Sequence, residues 1–333
     1  MTWYKNSGKD SDIVFSTKIR LSRNLENYPF PARLSSTEKH QLATLIRDAL
    51  NADGSLSFID MEKLSKYETV SLAEKNLISP EFASNSSGRA LLLSPEEDVS
   101  IMLFEEDHVK IQSLLPGLSP KQAYEAALKY DSLLENAFQI AFDEKLGYLT
   151  PSPVNIGTGL RASVTLHLYA LNSSGEMHKL ASTVSKLGMT LRPSYTERGK
   201  VIGDIFTLSN QVTLGISEDA ALTNLELIAG QLISQEREAR SRIIEEPATL
   251  DNIFRSYGIL LNAYLLSATE LINLLSPVRF GAGEGKLDLK PEELTRIFVE
   301  LQSATLSASK GENISVTERE KLRAEEARKA MKS

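Results

Sequence analysis

The chain has 333 residues, 41% of them hydrophobic and 24% charged, which excludes a disordered chain, a collagen-like chain and a coiled-coil rod. It has no cysteine, which excludes disulfides, thiolate-ligated metals and a catalytic thiol. The net charge of −7 does not favour nucleic acid as a partner, although a local basic cleft could still bind phosphate.

The first half of the chain contains four segments whose patterns indicate their structure. Residues 1–12 are polar, and we expect them to form a loose arm. A Ser-x-x-Glu capping box followed by apolar residues at helical spacing predicts a helix over 35–52. Two short apolar runs around a turn predict a β-hairpin over 89–104. A proline at the first helical position begins a long amphipathic helix predicted over 119–144.

The next hundred residues continue with strands and long helices. Alternating residues predict a strand over 162–171, and a helix is predicted over 176–189. A strand pair follows over 201–214, and then a long helix over 217–246. Since the strands come in antiparallel groups with helices between them, we predict an α+β fold with an antiparallel sheet flanked by helices.

Helical patterns dominate the rest of the chain. We expect a glycine-rich turn over 280–286, a helix that begins near Pro291, a polar stretch over 303–316 and a charged tail helix over 317–332. The length also favours two domains.

The change of pattern at Glu246-Pro247 predicts where these domains meet. We assign 1–246 to a first domain and 247–333 to an all-helical C-terminal domain.

Several classes of protein are excluded by missing signals. The P-loop and Rossmann glycine patterns are absent, and so are the protein-kinase signatures. No apolar run is long enough to cross a membrane, and the N-terminus has no signal-peptide core. The four histidines lack metal-site spacing. We therefore expect a cytoplasmic protein without membrane or nucleic-acid binding and without a structural metal.

Four segments carry unusual combinations of charge and glycine. Two cations of 16–23 would lie on one side of a strand, and 104–110 holds three consecutive carboxylates. Two glycines precede an arginine in 152–161, where the backbone could approach a ligand, and 192–200 holds three cations and one carboxylate. Each segment also has an ordinary structural explanation. In the same order, these are a solvated strand face, a charged strand end, a plain glycine turn and a solvent-exposed loop.

Taken together, the four segments fit a cleft lined by arginines and one or two carboxylates. Phosphoryl transfer requires such a cleft, because its catalysis consists of positioning and of neutralising phosphate charge. Arginine suits this task through its planar set of donors, and a carboxylate can hold a guanidinium by two hydrogen bonds.

The motifs STKIRLSRNLENYPFP, FEEDHVKIQ and NIGTGLRASV, with the Arg192–Glu197 loop, resemble the phosphagen (guanidino) kinases. Within that family the chain is most similar to the bacterial McsB-type protein arginine kinases. The resemblance extends from about residue 13 to residue 246 and, less clearly, to the end of the chain. It implies a guanidino-kinase fold, ATP as phosphate donor and Mg²⁺ bridging the nucleotide phosphates, with no metal ligand from the protein.

The resemblance also assigns roles to residues. Glu106 would grip the target guanidinium and accept its proton, and Glu197 would pair with it from a mobile loop. The nucleotide-binding residues would be Ser16, Thr17, Lys18, Ile19, Arg20, Lys110, Arg161, Ala162, Ser163, Val164, Thr165, Arg192, Pro193, Ser194, Tyr195, Thr196 and Glu197.

Five positions depart from the family pattern. Lys18 and Lys110 replace phosphate-binding arginines, which keeps the charge and loses the bidentate geometry. Phe104 replaces an asparagine, Ser152 stands at the position of an active-site cysteine, and Asn76 replaces a histidine.

The tail resembles an RDxxRA motif that binds phosphoarginine as an allosteric ligand. Here it consists of Arg319, Glu320, Arg323 and Ala324. Because the two arginines are four residues apart, they would share one helix face and could grip one phosphate. A solvated, charged helix explains the same pattern.

Three functions follow as alternatives. The first is phosphorylation of arginine side chains in proteins, in stress response and protein quality control, with a Clp ATPase and a zinc-binding activator as partners and a homodimer as the assembly. The second is a weakened pseudokinase that acts as a phosphoarginine-binding adaptor. The third, a kinase of free guanidino compounds, is disfavoured by the absent N-terminal domain.

Overall fold

The computed structural model describes residues 2–332. Its strands are β1 (Val14–Arg23), β2 (Ser57–Asp60), β3 (Ala90–Leu93), β4 (Val99–Leu103), β5 (Val109–Pro116), β6 (Phe142–Asp143), β7 (Gly147–Tyr148), β8 (Leu160–His167), β9 (Met189–Pro193), β10 (Thr196–Glu197), β11 (Lys200–Val201) and β12 (Ile205–Asn210). Its helices are α1 (Ser36–Leu50), α2 (Lys66–Glu74), α3 (Pro80–Ala83), α4 (Pro120–Ala137), α5 (Tyr169–Ser173), α6 (Met177–Lys186), α7 (Glu218–Ile243), α8 (Pro247–Asn262), α9 (Ala268–Gly283), α10 (Pro291–Glu300), α11 (Ser303–Lys310) and α12 (Val316–Ala330).

Eight strands form one sheet in the order β2-β3-β4-β5-β1-β8-β12-β9. Every neighbouring pair is antiparallel, which confirms the predicted α+β class. The pairs β6–β7 and β10–β11 form two small separate hairpins. None of the described helices is both long and apolar enough to cross a membrane.

Alternation along β1 divides the sheet into an apolar face and a polar face. Ile19 and Leu21 are fully buried on the apolar face, where they join a core with residues of α1, α4 and α7. Lys18 and Arg20 point to the opposite face because successive side chains of a strand alternate. The polar face is therefore available for a site.

A second core connects the sheet to the C-terminal helices. It contains Trp3 and Phe15 from the start of the chain, Met102 from β4, Ile253 from α8 and Phe298 from α10. The two predicted domains thus share one core, and the boundary at residues 246 and 247, where α7 gives way to α8, stays a prediction.

The expected N-terminal arm is not loose. Trp3 and Tyr4 are each 3% exposed, and the indole Nε1 of Trp3 donates to the carbonyl of Lys75 at 3.2 Å. The prediction was wrong because burying two large aromatic side chains contributes more free energy than the polar residues around them gain from staying in solvent.

Two expectations for the C-terminal region were also wrong. The glycines of the expected turn lie inside or beside α9, which continues to Gly283. The expected polar stretch contains α11, whose first N–H groups, those of Ala304 and Thr305, donate to the carboxylate of Glu74 at 3.0 and 2.7 Å. This cap comes from a residue distant in sequence, so the local pattern did not reveal it.

Smaller differences concern where elements end. The helix predicted over 119–144 ends at Ala137, and the strand predicted over 162–171 ends at His167. The strand pair predicted over 201–214 is not one hairpin, since β11 pairs with β10 and β12 pairs with β8 and β9.

Candidate active site

The polar face of the sheet assembles cations from three separate segments. Residues opposite each other in antiparallel strands share a face. Arg20 of β1 is opposite Arg161 of β8. Two rows further on the same face, Thr165 of β8 is opposite Thr207 of β12, which is opposite Arg192 of β9. The register thus brings Lys18, Arg20, Arg161 and Arg192 to one surface, which we call the cationic face.

The cations of this face repel one another. Burial, and then the charge of Arg20, lowers the pKa of Lys18 to about 8. Burial, with the charges of Arg20 and Arg192, lowers the pKa of Arg161. None of the four forms an ion pair with a described carboxylate. A multivalent anion would relieve this repulsion.

A cavity of about 500 Å³ lies beside the cationic face. The sheet contributes one wall, and the other walls come from the segment of α2 and α3, from the loop after β9 and from α10. Its lining includes Lys18, Arg20, Asn76, Ser79, Tyr195 and Phe298.

Three carboxylates lie in the turn between β4 and β5, and two of them are held by neighbours. Glu105, with a side chain 5% exposed, accepts from Lys110 Nζ at 2.7 Å and from Ser79 Oγ at 2.7 Å. Asp107 is fully buried and accepts from Asn24 Nδ2 at 2.7 Å. Glu106 has a side chain 57% exposed, and its Oε2 lies 3.8 Å from Lys110 Nζ. Glu106 is therefore the carboxylate of this turn that can meet a substrate cation.

The two buried carboxylates have opposite pKa shifts. For Glu105, burial raises the pKa, but the Lys110 ammonium and the hydrogen bond from Ser79 outweigh it and lower the pKa overall. For Asp107, burial dominates and raises the pKa. Lys110 thus interacts with the carboxylates, whereas the resemblance implied contact with phosphate.

Phe104, at the start of this turn, has a φ of 65°. Asparagine adopts this left-handed conformation far more readily than a bulky residue. This preference is a physical reason for the asparagine that the family pattern has at this position. Phe104 is 1% exposed, so its burial in the apolar core offsets the backbone cost.

Glu197 lies on the β10–β11 hairpin, which extends beyond the sheet. Arg198 and Gly199 turn the chain at φ values of 50° and 78°, and Glu197 is exposed. Arg192, expected in the same loop, belongs instead to strand β9. The structure places Glu197 on an exposed hairpin and Arg192 on a strand of the eight-stranded sheet.

Several residues implied to bind nucleotide do not present side chains to the cationic face. Thr17, Ile19, Ala162 and Val164 are fully buried on the apolar face, because alternation directs every second side chain of β1 and β8 away. Ser16, Ser163 and Thr165 share the cationic face.

Residues 193–196, from the last residue of β9 onward, differ in how far their side chains are exposed. Pro193 and Thr196 are exposed, Ser194 Oγ lies 2.8 Å from Thr207 Oγ1, and Tyr195 packs edge-on against Phe298.

The tail motif differs from the expected phosphate grip. Arg323 is 1% exposed, and its guanidinium donates to the carbonyls of Leu301 and Leu266, each at 2.8 Å, and to Ser303 Oγ at 3.1 Å. Ala324 is fully buried. The prediction that both arginines are free for one phosphate was wrong for Arg323, because its partners lie on neighbouring helices.

The other two residues of the motif stay accessible. Arg319 lines a cavity of about 340 Å³, and Glu320 is half-buried.

Sequence reasoning missed two residues that hold the carboxylate turn. Ser79 binds Glu105, and Asn24 binds both Asp107 and the backbone N–H of His108, the latter at 3.0 Å. Each lies far from the turn in sequence, so no spacing pattern connects them. Ser152, noted for the family's cysteine, lies in the loop before β8.

The family model for the ATP:guanido phosphotransferase C-terminal catalytic domain matches residues 38–239. The chain belongs to this family. It is therefore a phosphotransferase, and the resemblance read from the sequence is confirmed. A second model, for the protein-arginine kinase McsB C-terminal domain, matches residues 247–333.

Relatives of this ATP:guanido phosphotransferase extend over nearly the whole chain. A protein-arginine kinase of Halothermothrix orenii is 40% identical over 328 residues, which are 97% of this chain and 94% of that one. A protein-arginine kinase of Geobacillus stearothermophilus is 42% identical over 290 residues, covering 85% and 80% of the two chains.

Solved structures show the same fold at lower identity. A lombricine kinase has a TM-score of 0.60 and 23% identity, over 71% of this chain and 70% of that one. A duplicated taurocyamine kinase from Schistosoma mansoni has a TM-score of 0.63 and 22% identity, over 77% and 38%.

Proposed function

We propose that this phosphotransferase transfers the γ-phosphoryl group of ATP to the guanidinium group of arginine side chains in proteins. The observation that carries the proposal is the position of an exposed carboxylate, Glu106, in a turn that borders the cationic face. The names of the relatives support the choice of a protein arginine as acceptor.

The cationic face would bind the phosphates of ATP. Arg20, Arg161 and Arg192 offer planar sets of N–H donors, and Lys18 adds a point charge. They neutralise the charge that develops on the transferred group and hold donor and acceptor in line, which is most of what phosphoryl transfer requires.

Glu106 would bind the guanidinium and accept its proton. A guanidino nitrogen attacks the γ-phosphorus, the N–P bond forms, and the bond from phosphorus to the bridging oxygen of ADP breaks. The proton released from the nitrogen passes to Glu106. Glu197 would approach from the hairpin and hold the guanidinium from a second side.

Mg²⁺ would neutralise phosphate charge on the nucleotide. Among the described residues, the group able to share a metal ion consists of His40, Asp60 and Glu62, which belong to α1 and to the edge strand β2 with its following turn. That group includes neither of the carboxylates that line the cavity beside the cationic face, Glu74 and Glu81. The ion would therefore be held by the nucleotide phosphates.

The cellular role is a further part of the proposal. An acidic protein, with a net charge of −7, suits cationic, arginine-bearing substrates. We propose that phosphoarginine marks these substrates for Clp-type proteolysis in the cytoplasm, with a zinc-binding activator and a homodimeric assembly. For an allosteric phosphoarginine site, the half-buried Arg319 would be the contact, since it lines a cavity.

The test uses purified protein, ATP·Mg²⁺ and an arginine-rich protein, with acid-labile phosphate detected by mass spectrometry at neutral pH. Glu106→Gln is expected to lower the rate at least 100-fold, because the general base is lost. Glu238→Gln, an exposed residue of α7, is the matched control and is expected to keep the wild-type rate.

Other outcomes would favour the alternatives. Phosphorylation of free arginine without a protein product would indicate a guanidino kinase of small molecules. Absence of transfer, together with phosphoarginine binding that Arg319→Ala abolishes, would indicate an adaptor.

A further inference from the structure

The hairpin that carries Glu197 is attached at its base to the C-terminal helix α9. The N–H of Gly203, two residues after β11, donates to Asn273 Oδ1 at 3.2 Å. The backbone approaches α9 so closely that a Cβ on Gly203 would lie 2.5 Å from Ile272 Cγ2. This contact leaves no room for a side chain, so it fixes the separation of the hairpin and the helix.

Asp204 makes the second attachment. Its carboxylate accepts from Ser276 Oγ of α9 and from Asn172 Nδ2, the latter at 2.6 Å. The residue has a φ of 53°, a conformation that aspartate tolerates better than most residues. The attachment therefore holds the backbone in an uncommon conformation where the hairpin joins β12.

A buried chain of hydrogen bonds supports Ser276 from behind. His167 Nε2 lies 2.9 Å from Ser276 Oγ, and His167 Nδ1 lies 3.1 Å from Arg240 Nη2. Burial and the charge of Arg240 lower the pKa of His167 well below its usual value, so the ring is neutral. Because arginine only donates, Nδ1 accepts, Nε2–H donates to Ser276, and Ser276 donates to Asp204. The donors and acceptors therefore form a continuous chain from α7 to the base of the hairpin.

We propose that α9 positions the Glu197 hairpin over the cationic face, with Ser276 and Asn273 as positioning residues. The role in catalysis rests on the proposed function above. The attachment of the hairpin to α9 does not depend on the proposed function. If Glu197 acts in catalysis, the attachment makes the C-terminal helices part of the catalytic geometry.

The test measures first how readily the hairpin opens and then the kinase activity. The exposed Arg198 and Lys200 are trypsin sites on the hairpin, so native-state cleavage after them reports its opening. Loss of one hydrogen bond in Ser276→Ala or Asn273→Ala is expected to raise this cleavage rate roughly fivefold. In the same variants kcat is expected to fall while KM for ATP stays unchanged.

Matched control variants separate loss of the hairpin attachment from the general effect of removing one hydrogen bond. Ser241→Ala on α7 and Asn262→Ala at the end of α8 remove hydrogen bonds within a single helix, and they are expected to leave hairpin cleavage and kcat unchanged. Unchanged cleavage in Ser276→Ala and Asn273→Ala would overturn the proposal, and so would an equal rise at trypsin sites throughout the chain. Faster hairpin cleavage in the two variants, together with a wild-type protein that phosphorylates nothing, would support the attachment and refute only the proposed function.

Discussion

Lys18 is the cation of the cationic face whose charge depends on pH near neutrality. Burial, and the neighbouring Arg20, lower its pKa to about 8. Below that pH the side chain is charged and would bind the proposed ATP phosphates, and above it the charge is lost unless ATP binding restores the proton. ATP affinity is therefore expected to fall as pH rises through 8, by up to about tenfold per pH unit.

Lys18→Arg tests this dependence, because arginine stays protonated. Calorimetric titration of ATP·Mg²⁺ at pH 7 and pH 9 is expected to give a loss of affinity in the wild type and a much smaller loss in the variant. Equal losses in both proteins would assign the titration to another group.

Lys110 is surrounded by the carboxylates of the β4–β5 turn. Its side chain is 6% exposed, and its Nζ lies 2.7 Å from Glu105 and 3.9 Å from Asp107. Lys110→Met leaves two buried carboxylates without their cation, and is expected to lower the free energy of unfolding by about 3 kcal/mol. Urea denaturation measures the change.

The control for Lys110 is Lys329→Met. Lys329 also contacts two carboxylates, those of Glu325 and Glu326, but on the surface, and its loss is expected to change stability little. Similar effects of the two variants would contradict the role assigned to Lys110.

For single residues, the sequence predicted those side-chain directions that follow from the alternation of residues along a strand. It placed Lys18 and Arg20 on one face of a strand, and the structure agrees. It could not reveal that Ser79 holds Glu105 or that Arg323 donates to carbonyls of other helices, since these partners meet only through tertiary packing.

Helices α8 and α9 contact each other through a glycine. A Cβ on Gly281 would lie 2.5 Å from Ile253 Cγ2, whereas a Cβ on Gly258 of α8 would meet no atom within 4 Å. Gly281→Ala is expected to destabilise by about 1–3 kcal/mol through overpacking. Gly258→Ala is expected to stabilise by about 0.5–1 kcal/mol, because glycine is unfavourable inside a helix.

Urea denaturation of the two glycine variants distinguishes packing from helix propensity. Propensity alone would make both stabilising, and that result would contradict the close contact. The double variant Gly281→Ala/Ile253→Ala is expected to lose less than the sum of its parts, since the smaller residue makes room.

Elements with local signals were predicted well. Helix α1 begins after a capping box formed by Ser35 and Glu38, both within its first turn, and the β3–β4 hairpin forms around its expected turn. Helix α11 was missed because Glu74, 230 residues away, caps it. The glycines of α9 suggested a turn, but they serve close packing.

Across the whole molecule, the second core and the hairpin attachment cross the predicted domain boundary. Aromatic residues of the first strand and the N-terminal turn pack with α8 and α10, and α9 holds the hairpin of Glu197. Composition along the chain could indicate where helices begin to dominate. It could not indicate that these helices complete the polar side of the sheet, because that contact depends on the register of eight strands.

The proposed reaction transfers phosphate to protein arginine by means of the cationic face and Glu106. The most direct measurement is tandem mass spectrometry at neutral pH of an arginine-rich protein after incubation with ATP·Mg²⁺ and this chain. We expect phosphate on guanidino nitrogens with the wild type, and at least 100-fold slower formation of this product with Glu106→Gln. Phosphate confined to serine, threonine or histidine, or equal arginine phosphorylation by both proteins, would contradict it.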